Sequence, residues 1–294
     1  SPHPWPSFGS RPLLGANGTE AMQALLPDGA ALVDYLKVGP FMGEQAITAL
    51  AADYPLMLHL DDTLSGHNLP SADTAQRLTR WIELTGTPWT SEHIGFSVAD
   101  VDLDSALITQ PVSALLTRQQ AFDNIVRNAR ALAQALPAPL ILENIPLFPN
   151  MAHLWVCEPD FVAEVIAATD CDLLVDLAHA RVTADVLGLD IHAYLSQLPL
   201  QRTVELHLSG PRPLRAANAR RQALVRENAQ SIAHILPFTD DNLIDQHAPM
   251  QEEDYALLEW LLARAEPKAI SLEYYAEPEA LREQLVRLNT MLGR

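Results

Sequence analysis

Seven places along the chain carry side chains able to bind a metal or move a proton. In order they are His59, Glu92-His93, Glu143-Asn144, Asp176 with His179, Glu205 with His207, Asp245-Gln246-His247, and Glu273. Nearly all of them end, or lie just past, a short run rich in Val, Ile and Leu. A charged group inside such a run is costly unless it is paired or coordinates a metal. Nine groups (His59, His93, Glu143, Asp176, His179, His207, Asp245, His247 and Glu273) would form a poorly satisfied polar cluster if they met with nothing between them. Metal binding is the economical explanation. Imidazole and carboxylate together suit zinc, iron or manganese, and the lack of a thiolate argues against iron–sulfur clusters and blue copper. Nine candidates are too many for one ion, so a bridging carboxylate such as Glu143 would let them hold two or three. Each element also has a plainer meaning. A single His at a strand end is usually a satisfied core residue, and Glu-Asn after an apolar run can simply cap a helix. The recurrence at one topological level favours the metal.

The elements that would position these groups can be read from the apolar pattern. Nearly continuous hydrophobic runs occur at 12–16, 32–38, 56–60, 89–94, 140–145, 173–177, 204–208 and 270–274. This is what strands buried on both faces require. Helical spacing follows at 72–83, 118–136, 159–169, 190–198, 254–265 and 278–292. Eight strands alternating with helices predict an α/β protein, a (β/α)₈ TIM barrel of one domain over residues 1–294, with its metal site at the C-terminal mouth. A doubly wound sheet is the rival, although no Gly-x-Gly-x-x-Gly follows an early strand. Residues 1–10, rich in Pro, read as an irregular arm. Residues 210–242 read as an excursion of one helix and a long loop before the Asp-x-His pair. It carries Arg212, Arg215, Arg220, Arg221 and Arg226, either as a solvated helix face or as a docking surface for an acidic peptide or partner.

Composition narrows the function. The 37 acidic residues against 19 basic ones give a formal net charge of −18, which repels phosphate backbones and speaks against nucleic-acid binding. No apolar run approaches a membrane span, and the start lacks the n- and h-regions of a signal peptide. Two cysteines, Cys157 and Cys171, cannot build a disulfide framework, so a reducing cytoplasm is expected. Neither has an activating neighbour. No Gly-x-Ser-x-Gly elbow supports a serine hydrolase. His3, His153, His192 and His234 read as structural or exposed, and His67, in the loop after the third strand, reads as a possible substrate contact together with Asn144.

The ordered set Leu58-His59, Ser91-Glu92-His93, Leu142-Glu143-Asn144-Ile145-Pro146, Val175-Asp176-Leu177-Ala178-His179, Glu205-Leu206-His207-Leu208-Ser209-Gly210, Asp245-Gln246-His247 and Leu272-Glu273-Tyr274 resembles the DUF692 family. These are multinuclear non-haem iron-dependent oxidative enzymes, including the methanobactin biosynthesis oxidase and the 3-thiaglutamate biosynthesis enzyme. The resemblance implies a TIM barrel with two or three irons, mixed Fe(II)/Fe(III), and O₂ as co-substrate. It implies a ribosomal precursor peptide as substrate, commonly modified at cysteine, and a small leader-binding partner protein. Carried over by position, it implies metal ligands at His59, His93, Glu143, Asp176, His207, Asp245, His247 and Glu273. His179, where relatives often have Asn, is implied as a ligand to a third iron. Lys37 stands where many relatives are acidic, and 61–66 replaces their Gly-rich turn. Two other readings remain: a metal barrel similar to xylose isomerase or endonuclease IV, for which Lys37 is a possible acid–base group, and a metal-storing or metal-sensing protein.

Overall fold

A computed structural model describes residues 2–67, 72–103 and 109–294. In chain order the strands are β1 (Leu13–Asn17), β2 (Tyr35–Val38), β3 (Leu56–His59), β4 (Thr90–His93), β5 (Val101–Leu103), β6 (Thr109–Pro111), β7 (Leu140–Glu143), β8 (Asp172–Asp176), β9 (Thr203–Leu208), β10 (Gly210–Pro213), β11 (Leu243–Ala248) and β12 (Ala269–Leu272). Eight of them close into a parallel barrel in the order β1-β12-β9-β8-β7-β4-β3-β2, with β2 returning to β1. The closed ring removes the doubly wound alternative. All eight expected apolar runs supply barrel strands. The second starts later than expected, because Ala30–Leu32 forms a 3-10 turn ahead of Tyr35.

Among the described residues, ten α-helices connect the strands: α1 (Glu20–Gly29), α2 (Glu44–Asp53), α3 (Ala72–Thr85), α4 (Arg118–Ala135), α5 (Pro159–Thr169), α6 (Leu177–Leu187), α7 (Ile191–Ser196), α8 (Ala219–Ile232), α9 (Glu252–Leu262) and α10 (Pro278–Met291). Their starts follow from local chemistry. Thr117 and Gln120 form a capping box on α4, and Pro sits in the first turn of α5 and α10, where its missing N–H costs nothing. Alternation sorts the barrel side chains. Leu36, Leu58, Leu142, Val175, Leu206 and Leu272 face the helices and join the main core, and the opposite parity points inward.

The inward set is layered. At the bottom Leu13, Tyr35, Met57, Trp89, Ile141, Leu174 and Ala269 form a small separate apolar cluster. Gly15 belongs here because a Cβ would lie 2.4 Å from the Tyr35 ring. Above this floor come Lys37, Ser91, Glu205 and Ser271, all buried. The ligand-type residues form the top layer. The described residues of the arm form no helix or strand, with Ser1 outside the described residues, and the arm plugs the floor from below. Trp5 lies 5.4 Å from the Tyr35 ring, and Phe8 lies 5.3 Å from Trp89.

The excursion holds more structure than one helix and a loop. β10 pairs antiparallel with β11, and α8 lies between them in sequence. The arginines there meet partners in the segment or just beyond it. Arg226 pairs with Asp240 at 2.6 Å, Arg215 pairs with Asp241, and Arg212 donates to the Pro249 carbonyl at 2.7 Å. Arg221 donates to the Asp245 carbonyl at 2.7 Å, so part of this segment braces the Asp-x-His strand.

Candidate metal centre

The nine sequence-derived residues converge. Six of them stand on or directly after barrel strands: His59 on β3, His93 on β4, Glu143 on β7, Asp176 on β8, His207 on β9, and Glu273 after β12. Asp245 and His247 reach the same place from β11, and His179 from the first turn of α6. Glu143 lies at the centre. Its Oε2 is 3.5 Å from His59 Nε2 and 3.7 Å from His93 Nε2. Its Oε1 is 3.4 Å from His207 Nδ1 and 3.4 Å from His179 Nδ1. Two groups of ligand atoms, His59/His93/Glu143 and Glu143/Asp176/His207, each lie within 4.8 Å of one another, and they share Glu143. A third neighbourhood adjoins them. His247 Nε2 is 3.3 Å from Glu273 Oε2, and His179 Nε2 is 3.3 Å from Asp245 Oδ2.

Local folding explains several placements. Asp176 ends β8 and caps α6, where its Oδ1 accepts from the His179 N–H at 2.7 Å. Its Oδ2 is thereby aimed into the site, 3.5 Å from His179 Nε2. His247 adopts a left-handed φ of 47°. That conformation is strained for a side chain with a Cβ, and such strain concentrates where function demands a particular geometry.

Glu143 Oε2, Asp176 Oδ2, Asp245 Oδ1 and His207 Nδ1 are buried without a hydrogen-bond partner. Buried polar atoms rarely stay so, and orphans aimed at one point fit metal ions. The electrostatics agree. Burial works to raise the Glu143 pKa, but His207, His93 and His59 outweigh it and hold the carboxyl well below its usual range. Burial raises Asp176 to about 7. Burial opposes protonation of His207, yet Glu273 and Glu143 lift it to about 10, and Asp245 and Glu273 lift His247 to about 9. Without a metal, His179, His207 and His247 therefore serve as cations for the carboxylates, whereas burial lowers His93 and takes His59 down to about 3, so these two stay neutral. A divalent ion can take that place by expelling the protons.

Other expected residues fall elsewhere. Asn144 is fully buried, and both ends of its carboxamide are engaged by the Asp176 backbone at 3.0 and 2.8 Å. This makes it a brace between β7 and β8. His67 Nδ1 lies 3.3 Å from the Asn124 side chain, and the His67 carbonyl accepts from Arg127, which ties it to α4. Glu92 has the opposite parity to His93 and sits on the helix side of β4. There it is fully buried, without a hydrogen-bond partner, and burial with Asp62 and Asp61 nearby pushes its pKa well up. Lys37 is 1% exposed and paired with Glu205, so it cannot serve a sugar isomerase as an acid–base group at the mouth.

Tyr275 joins the site from outside the sequence-derived set. It is 40% exposed, and its ring lies 4.9 Å from His247. Period two from Glu273 is the signal that could have found it, since both lie on one face of the extended segment after β12.

Residues 33–291 match the family described as the RiPP precursor modification enzyme MbnB/TglH/ChrH, where RiPP denotes a ribosomally made, post-translationally modified peptide. Among curated relatives, a UPF0276 protein of Caulobacter vibrioides is 26% identical over 196 residues, covering 64% of this chain and 68% of the relative. One from Bordetella pertussis is 29% identical over 184 residues, covering 62% and 55%. Among solved structures, D-psicose 3-epimerase from Clostridium cellulolyticum superposes with TM-score 0.51 at 11% identity, over 95% of this chain and 99% of that one. Endonuclease IV from Thermus thermophilus does so with TM-score 0.50 at 14% identity, over 96% and 98%. At such identities the structural likeness establishes the barrel fold alone.

Proposed function

The chain belongs to the family of RiPP precursor modification enzymes, and from that premise we propose that it is a multinuclear iron enzyme that oxidatively modifies a ribosomal precursor peptide, at a cysteine, using O₂. The observation that carries this reading is the position of Glu143 between two ligand groups, with a different oxygen turned to each. One shared carboxylate is the simplest way for nine donors to hold two ions, and the pairs around Asp245, His247 and Glu273 leave room for a third. Bound iron, mixed Fe(II)/Fe(III), supplies O₂ binding and one-electron steps, together with a soft site for a substrate thiolate.

The protein's own residues prepare that chemistry. His59, His93 and Glu143 would hold one ion, and Glu143, Asp176 and His207 the other. His179, Asp245, His247 and Glu273 would complete the set. Asp176 is fixed by its cap on α6, so its free oxygen cannot swing away. The apolar floor below keeps water from reaching the site through the barrel, and Tyr275 offers an exposed ring beside His247 against which a peptide side chain can rest. The substrate thiol comes from the peptide, since Cys157 and Cys171 are both buried. The reading includes a small leader-binding partner protein and a cytoplasmic location. Among the described residues, no helix is long and apolar enough to cross a membrane.

The test is anaerobic loading of the purified protein with Fe(II), followed by iron quantitation, EPR spectroscopy and O₂ uptake. The uptake is measured with and without a cysteine-containing precursor peptide and its partner. More than one iron per chain, a mixed-valent signal and peptide-dependent uptake are expected. Stoichiometric zinc in protein offered iron, with zinc alone supporting turnover, would overturn the iron assignment.

A further inference from the structure

Directly beneath the ligand layer lies an ion pair that the ligand set does not account for. Lys37 and Glu205 are 1% and 0% exposed and face each other inside the barrel. Around them, Glu205 Oε2 accepts from Trp89 Nε1 at 2.8 Å, and Oε1 accepts from Ser271 Oγ at 3.2 Å. The Lys37 ammonium also donates to Ser91 Oγ at 3.2 Å. Two of the histidines stand on this network. Glu205 Oε1 lies 3.3 Å from His207 Nε2, and Ser91 Oγ lies 2.7 Å from His59 Nδ1. Each ring thus has one nitrogen toward the floor and the other toward Glu143: His207 Nδ1 at 3.4 Å and His59 Nε2 at 3.5 Å.

A neutral imidazole has one N–H and one lone pair, and the partner of the N–H decides which nitrogen can bind a metal. A carboxylate held by a buried ammonium, an indole N–H and a hydroxyl can only accept, so it keeps the His207 proton on Nε2 and leaves the Nδ1 lone pair facing the site. A Ser91 oxygen that already accepts from Lys37 has a second lone pair, which can accept the Nδ1–H of His59 and leave Nε2 free.

We propose that the buried Lys37–Glu205 pair is a positioning device for the metal centre. It sets the tautomer and orientation of His207 through Glu205 and of His59 through Ser91, one histidine in each of the two ligand groups that share Glu143. The role rests on the reading that these histidines bind metal, and it adds residues outside the ligand set. A single pair gripping one ligand from each group also couples the two groups mechanically. A change at Lys37 should therefore be felt at both ions.

The test is an anaerobic titration of the metal-free protein with Co(II), followed by the visible d–d absorption of the bound ion. Lys37→Met and Glu205→Gln are introduced together, because removing one partner alone strands a buried charge and endangers folding. The wild type should take up at least two Co(II). The double variant should keep the wild-type circular dichroism, lose about 10–100-fold in Co(II) affinity, and show an altered absorption envelope because the ring nitrogens are no longer fixed. Unchanged affinity and spectrum in a folded double variant overturn the positioning role while leaving the metal reading intact. A wild type that binds no Co(II) overturns the metal reading itself, and the positioning role with it. If the double variant does not fold, Ser91→Ala carries the test, since it touches only the His59 side. It should weaken one equivalent about tenfold and spare the other, and two unaffected equivalents refute the proposal.

Discussion

The two carboxylate oxygens of Glu143 face different histidines, His59 and His93 on one side, His207 and His179 on the other, so ligand substitutions here should not be equivalent. His59→Ala is expected to lower iron content by one equivalent. Glu143→Ala is expected to strip both ions and abolish turnover, with the barrel still folded because the site lies above the apolar floor. Metal analysis beside circular dichroism checks this, and equal losses in the two variants would refute the shared carboxylate. A second residue-scale prediction concerns His153, which is buried, with its Nδ1 2.9 Å from the Pro146 carbonyl. Burial lowers its pKa from 6.5 to about 4. The unfolded chain therefore takes up this proton near pH 6.5 and the folded protein only near pH 4. Between the two the unfolded state holds more protons, so stability is full above pH 6.5 and falls as the pH drops. The loss is on the order of 3 kcal/mol once the pH is below both values. His153→Gln keeps a donor for Pro146 and cannot titrate. It should flatten this part of the curve of denaturation midpoint against pH, and an unchanged curve would remove His153 as the cause.

At the scale of elements, the N-terminal arm and the β10–α8–β11 excursion do different work from what their compositions imply. The Pro-rich arm has no regular structure, yet Trp5 and Phe8 cover Tyr35 and Trp89 at the barrel floor. Trp5→Ala should cost about 1–2 kcal/mol for a half-buried aromatic. The measurement is a lower denaturant midpoint with an unchanged slope, and an unchanged midpoint would show the arm to be a passive tail. In the excursion, Arg215 and Arg226 meet Asp241 and Asp240, and Arg221 supports the Asp245 carbonyl. The dense run of arginines is therefore in good part a local scaffold for a strand that carries two ligand-type residues.

For the whole molecule, net charge restricts what the barrel can bind. The barrel superposes on an endonuclease IV, while the formal net charge is −18. A duplex must be gripped by cationic contacts, and an acidic surface forfeits the counterion release through which such contacts drive binding. The metal-loaded protein is expected to leave an abasic-site duplex uncut and to show no binding to it at physiological salt. Cleavage in that assay, dependent on the bound metal, would move the chain to the nuclease reading.

The apolar runs favoured the barrel over its doubly wound rival, and the ionisable residues at their ends, with the Asp245/His247 pair after the Arg-rich segment, marked the nine groups that the fold brings together. The reason is that a strand buried on both faces admits a charge only where a partner or an ion offsets its desolvation. The family resemblance rested on the same residues in the same order. What the chain order could not contain was the third dimension of the site. Period two places Glu92 and His93 on opposite sides of β4, but only barrel closure makes one side the interior. Lys37 and Glu205 are separated by 168 residues, and nothing local announces that β2 and β9 bring them together under His207. Asn144 reads as a substrate contact or a helix cap until β8 comes to lie beside β7 and the Asp176 backbone engages its carboxamide. Local sequence specifies which groups reach the mouth of the barrel. Tertiary packing decides which atom of each group faces which neighbour, because those contacts are set by strand order, stagger and the layer beneath.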